Sequence, residues 1–158
     1  MIIRQGTTAD FQQIVRWQYP APYETYTIPE SDWAETIDYF HELADNFVVI
    51  IDDDDTLLGF CSFGADGQVP GGDYTADALD VGMGMRPDLT GQGQGKRYLA
   101  AVLDYAQTTF QPAALRATIA AFNHRAQNMV KRAGFIQTDQ FIAPTTGRDF
   151  RIFIKPLT

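Results

Sequence analysis

A single cysteine, Cys61, gives the chain no means of forming an internal disulfide, and no Cys/His spacing matches a zinc site. Basic residues are scarce: 12 Lys and Arg stand against 20 Asp and Glu, for a formal net charge of −8. A face that grips duplex nucleic acid is basic, so no nucleic-acid partner is expected. Apolar runs such as Phe47–Ile51 fall far short of the ~20 residues that a bilayer span needs. Residues 1–5 lack the apolar core of a signal peptide. These absences predict a soluble, cytoplasmic protein with no membrane partner. The run Asp52-Asp53-Asp54-Asp55 lacks the register of a calcium loop and reads as a solvated turn, so no metal is expected.

What is present is apolar material: 45% of the 158 residues are hydrophobic and 13% are aromatic. That is ample for a core and predicts one folded domain over residues 1–158. Ile2-Ile3-Arg4 reads as a strand, and Thr7 or Thr8 as the cap of a helix over roughly residues 8–18, with Phe11, Ile14 and Val15 on one face. A Pro- and Tyr-rich stretch, 19–29, follows. A second helix starts near Ser31, and a hairpin pairs Phe47–Ile51 with Leu57–Phe63. After a Gly-rich loop, 64–77, Leu79–Arg86 reads as a strand ended by Pro87. A helix is expected over about 94–110, a strand over Leu115–Ala121 and a helix over 124–133. Strands near Phe135–Phe141 and Phe150–Ile154 close the chain. Strands and helices mixed in this order argue for a central sheet with helices on its faces.

The segment from Asp80 to Lys96 carries the chemistry. It runs strand, turn, glycine-rich loop, helix, with glycines at 91, 93 and 95. Such glycines let a backbone approach a ligand closely. Successive N–H groups at a helix N-terminus form a nest for phosphate oxygens, and Lys96 adds a positive charge there. The spacing therefore predicts a phosphate-bearing ligand. A P-loop is excluded, because Thr90 stands in place of its first glycine and Arg97 in place of its Ser/Thr. The dinucleotide fingerprint fails as well: counted from Gly93, its last glycine falls on Tyr98.

In this segment the chain resembles the GCN5-related N-acetyltransferase (GNAT) superfamily. The acetyl-CoA motif of that family follows a strand ending in Val-x-Pro, and here Met85-Arg86-Pro87 leads into Thr90-Gly91-Gln92-Gly93-Gln94-Gly95. A second motif is similar too: Asn123-His124-Arg125-Ala126 precedes Gly134-Phe135 at the family's spacing. The resemblance implies an α/β (α+β), GNAT-like fold, with a central mixed, mostly antiparallel sheet of about six to seven strands and about four flanking helices. It also implies an acetyltransferase that uses acetyl-CoA as co-substrate, its acyl group being attacked directly by a primary amine of a small molecule or protein.

The resemblance assigns roles to residues. Met83, Gly84 and Met85 would pair with the pantetheine arm, and backbone N–H groups there, Met85 included, would receive the thioester oxyanion. Thr90, Gly91, Gln92, Gly93, Gln94, Gly95 and Lys96 would hold the phosphates, and Asn123 would bond the pantetheine amide or cap the next helix. Asp80 stands where many members carry a glutamate and is the candidate base. Thr118, at another frequent base position, carries no carboxylate. Val130 replaces the tyrosine that protonates the leaving thiolate in many members, so the general acid is unassigned. Tyr19, Tyr23 and Tyr26 could wall the acceptor site, with Glu24 attracting the amine, or they could simply pack the helices onto the sheet. The C-terminal strands could pair across a homodimer. The competing reading is a non-catalytic acyl-CoA-binding or sensor protein on the same scaffold.

Overall fold

The computed structural model describes residues 1–157. Among the described residues, four α-helices and seven strands follow the predicted order. They are β1 (Ile2–Gln5), α1 (Thr8–Ile14), α2 (Trp33–Leu43), β2 (Phe47–Ile51), β3 (Leu57–Phe63) and β4 (Leu79–Met85), then α3 (Gly95–Phe110), β5 (Ala114–Ala120), α4 (His124–Arg132), β6 (Ile136–Ile142) and β7 (Asp149–Pro156). The strands form a seven-stranded mixed sheet in the order β1-β2-β3-β4-β5-β7-β6. The pairs β1–β2, β5–β7 and β6–β7 are antiparallel, and β4–β5 is parallel. Among the described residues no helix is long and apolar enough to cross a membrane.

Two compact units partition the chain, with β3 and β4 contributing residues to both. The first comprises Met1–Cys61 and Met83–Gly95. Its helix α1 begins in a reciprocal cap: the Thr7 side chain accepts from the Asp10 backbone, and the Asp10 carboxylate accepts from the Thr7 backbone. Burial pushes the Asp10 carboxyl up, but hydrogen bonds from Arg4 and Thr7 outweigh it and hold the group below its ordinary value. The helix stops at Ile14, four residues earlier than the apolar pattern predicts. Beyond it the Arg16 and Trp17 amides donate to Gln13 O and Ile14 O, i→i−3 bonds that tighten and end the last turn. Phe11, Ile14, Val15, Phe40, Phe47, Val49, Ile51 and Leu57 form this unit's core. Phe40 stacks on Phe47 with ring centroids 4.0 Å apart.

The hairpin turn explains the aspartate run. Asp52 Oδ1 accepts from the amides of Asp54 and Thr56, and Asp55 carries a positive φ of 60° and pairs with Arg4 at 3.0 Å. The acidic run shapes a turn, as local Asx bonding does.

The second unit comprises Ser62–Gly82 and the described residues from Lys96 onward. Helix α3 buries Tyr98, Leu99, Val102, Leu103 and Ala106, whereas Phe110 at its end, where the apolar spacing predicts burial too, is half-buried. Strand β5 pairs with β7 over seven residues, from Ala114–Pro156 to Ala120–Phe150. Its parallel ladder with β4 has two pairs, Leu79 with Leu115 and Asp80 with Arg116. In α4 the buried positions are Gln127 and Val130. Gln127 donates to the carbonyls of Ala120 and Ala121, so a buried polar side chain closes the end of β5.

Candidate active site

In the first unit, the end of β4 is held from β3. A Cβ built on Gly84 would lie 2.3 Å from the Phe60 ring, and one built on Gly59 would lie 2.6 Å from the Gly84 carbonyl oxygen. Both positions therefore require glycine because of close approach. The Arg86 amide donates to Leu58 O at 2.9 Å, and the Arg86 side chain donates to Leu57 O and to the Asp88 carboxylate. Met83, Gly84 and Met85 are thus fixed at the entrance to the glycine loop.

The loop itself turns through a 3₁₀ segment, Pro87–Leu89. Thr90 is its staple: both its amide and its hydroxyl donate to Pro87 O, at 3.3 and 2.7 Å. Gln92 donates from its side chain to Asp88 O at 2.5 Å. Gly91 and Gly93 have φ of 72° and 76°, in the left-handed region that glycine enters without penalty. A Cβ placed on Gly93 meets nothing within 4 Å, so open space lies over the loop. The chain then enters α3, a 16-residue helix with no acidic side chain in its first turn and with Lys96 as its second residue. Positive-φ glycines, clear space and the positive end of a helix dipole suit a phosphate-bearing group.

The Tyr-rich segment of this unit forms an aromatic group. Tyr23 and Tyr26 stack with centroids 6.4 Å apart, and Tyr19 meets Tyr26 edge-on at 6.3 Å. Glu24 is exposed in a short 3₁₀ turn. The Tyr19 hydroxyl leaves the group and donates to the Met85 carbonyl at 2.8 Å. A cavity of about 430 Å³ lined by Thr7, Phe11, Phe40 and His41, among others, contains none of the sequence-predicted site residues.

In the second unit, Asp80 is 3% exposed and faces Arg116, which is 2% exposed. The pair is a bidentate fork: Arg116 Nε to Oδ1 and Nη2 to Oδ2, each 2.7 Å. Gln68 adds a bond to Oδ2 at 2.9 Å. Arg116 also donates to the carbonyls of Ala76 and Ala78, and its guanidinium lies 4.9 Å from the Tyr74 ring centroid. Tyr74 in turn meets Thr118 Oγ1 and accepts from the Val69 amide, both at 2.9 Å. Hydrogen bonding to Asp80 outweighs desolvation and raises the Arg116 pKa above its ordinary value. One arginine thereby pins the 64–78 loop to two strands.

Asn123 caps α4, its Oδ1 accepting from the Ala126 amide at 3.1 Å. Val130 is buried, and its side chain has no proton to give. Sequence reading missed Arg116, Gln127 and the Tyr19–Met85 bond. The available signal for Arg116 was a lone charge inside the apolar strand Ala114–Ala120, which needs a buried partner.

The family model of the acetyltransferase (GNAT) domain, Acetyltransf_3, matches residues 1–136. No curated protein has a significantly matching sequence. Among solved structures, a chimera of the Vibrio cholerae spermidine N-acetyltransferase SpeG and hSSAT is similar at TM-score 0.76 and 16% identity, covering 98% of this chain and 94% of that one. A GNAT-family acetyltransferase from Bacillus anthracis is similar at TM-score 0.74 and 13% identity, covering 98% and 93%.

Proposed function

The chain belongs to the GNAT acetyltransferase family, and from that membership we propose that it moves the acetyl group of acetyl-CoA to a primary amine of a small molecule or a protein. The carrying observation is the run from β4 through the positive-φ glycines 91 and 93 into the N-terminus of α3. In this reading the amides of Gly91–Lys96 receive the phosphates, while Met83, Gly84 and Met85 take the pantetheine arm by strand addition. The amine nitrogen bonds the acetyl carbon as the carbon–sulfur bond breaks, and the nitrogen gives up one proton while CoA leaves as a thiolate. A thiol pKa near ~8.5 makes that leaving group tolerable without the tyrosine that Val130 replaces. Thr90 serves the loop through Pro87, and Gln92 through Asp88. A buried, unpaired Cys61 suits a reducing compartment, the cytoplasm.

Asp80 enters this reading as an anchor. A base must reach the proton it takes, and Asp80 is 3% exposed with both of its oxygens held in the Arg116 fork. The double variant Asp80→Leu/Arg116→Met removes both charges together. It is expected to keep kcat within about tenfold of the parent, whereas loss of a true general base leaves a deficit of about 10²–10⁴-fold. A deficit of that size in a folded double variant would restore Asp80 as the base.

Calorimetric titration with acetyl-CoA, beside ATP and NAD, tests the co-substrate. Release of CoA with spermidine, lysine amide and a lysine peptide as acceptors tests the activity. Binding of acetyl-CoA with no amine-dependent release would favour the acyl-CoA sensor instead.

A further inference from the structure

The orientation of two peptide planes at the end of β4 makes Tyr19 more than a wall of the acceptor site. The Gly84 carbonyl oxygen is the atom that a Cβ on Gly59 would meet first, so this carbonyl points toward β3. In a trans peptide the N–H points opposite to the C=O, so the Met85 N–H faces away from β3. The next plane repeats the geometry. The Arg86 N–H is spent on Leu58 O of β3, so the Met85 carbonyl also faces away. The Tyr19 hydroxyl meets that carbonyl. Tyr19 and the Met85 N–H therefore lie on the same side of the strand, and the Met85–Arg86 plane is gripped at both of its polar ends.

We propose that Tyr19 is a positioning residue for acyl transfer, its hydroxyl holding the Met85–Arg86 plane and with it the Met85 Cα from which the Met85 N–H is aimed at the thioester oxygen. The inference rests on the reading above, in which that N–H receives the developing oxyanion. A donor that is already aligned needs no reorganisation as charge develops, and alignment is where such a donor's catalytic value lies. Burial pushes the Tyr19 phenol up to about 12, so it keeps its proton at any working pH and the grip does not titrate away. The grip spans 66 positions of sequence and ties the α1–α2 connection to the strand.

The test compares the parent with Tyr19→Phe, which keeps the ring and loses one hydrogen bond. Three quantities are read: the Kd of acetyl-CoA, the kcat and KM with whichever of the three acceptors is turned over fastest, and the infrared carbonyl band of bound [1-¹³C]acetyl-CoA. The expected result is an acetyl-CoA Kd within about twofold, an unchanged amine KM and a kcat lower by roughly tenfold or more. The carbonyl band of the variant should move back toward that of free acetyl-CoA. A merely structural or wall-forming tyrosine would leave the band where it is. An unmoved band, or a raised amine KM at unchanged kcat, would overturn the positioning role while leaving the acetyltransferase reading intact. A parent protein that binds no acetyl-CoA would instead remove that reading and this inference with it.

Discussion

Replacing Arg116 alone with methionine is expected to lower the unfolding temperature by roughly 6–20 °C. Breaking a buried ion pair costs about 3–5 kcal/mol, and each kcal/mol lowers the melting temperature of a domain of this size by about 2–4 °C. The loss arises from what the substitution leaves behind. Asp80 stays buried, at 3% exposure, and loses both fork bonds, while Gln68 still donates to Oδ2. The carbonyls of Ala76 and Ala78 lose their donor at the same time. Two effects are therefore superimposed, and the double variant with Asp80→Leu separates them. Removing both charges is expected to recover most of the global stability, since apolar replacement of a buried pair is often neutral or stabilising. It does not restore the donor to Ala76 and Ala78, so hydrogen exchange across 64–78 should stay fast in the double variant. Thermal melts and amide exchange check the two parts. An Arg116→Met protein that melts within 2–3 °C of the parent would mean that the fork contributes little, and the anchoring role of Asp80 would fall.

The fork also shows how far one-dimensional reading reaches. Strand β4, the glycine loop and α3 were legible because their signals are local. Pro87 ends a strand, glycines supply positive φ at 91 and 93, and an apolar stripe runs through Leu99, Val102, Leu103 and Ala106. The capping pair Thr7 and Asp10 is likewise confined to one turn. The resemblance to a known family added the sheet and the order of the two motifs. What stayed hidden is set by register. Asp80 meets Arg116 because β4 and β5 pair in parallel with those two residues opposite each other, 36 positions apart in sequence. Read alone, Asp80 is a carboxylate in a strand beside a glycine loop, which is how a base reads. Read with its partner, it is half of an anchor. Tyr19 is similar: its Pro-Tyr surroundings suggest a surface wall, and only the fold brings its hydroxyl to the Met85 carbonyl.

The Gly93→Glu variant is expected to weaken acetyl-CoA binding by about 30- to 1000-fold while leaving the fold in place. Sterics do not drive this effect, because a Cβ at position 93 meets nothing within 4 Å. The backbone contributes a modest strain, since an L residue at a φ of 76° costs roughly 1–2 kcal/mol. That term alone lowers the melting temperature by only about 2–8 °C. The large term is electrostatic. A carboxylate held near the amides of the loop occupies the space of the incoming anion and repels it. Two like charges ~4 Å apart at an effective dielectric constant of ~20 repel by about 4 kcal/mol. Exposure and side-chain movement reduce that figure to about 2–4 kcal/mol, which is the fold-change above. Gly93→Ala carries the backbone strain without the charge and isolates it, so the two variants should differ widely in acetyl-CoA Kd and little in melting temperature. Equal affinities for both, each close to the parent's, would place the phosphates elsewhere. The glycines would then be only the means by which the chain turns from β4 into α3.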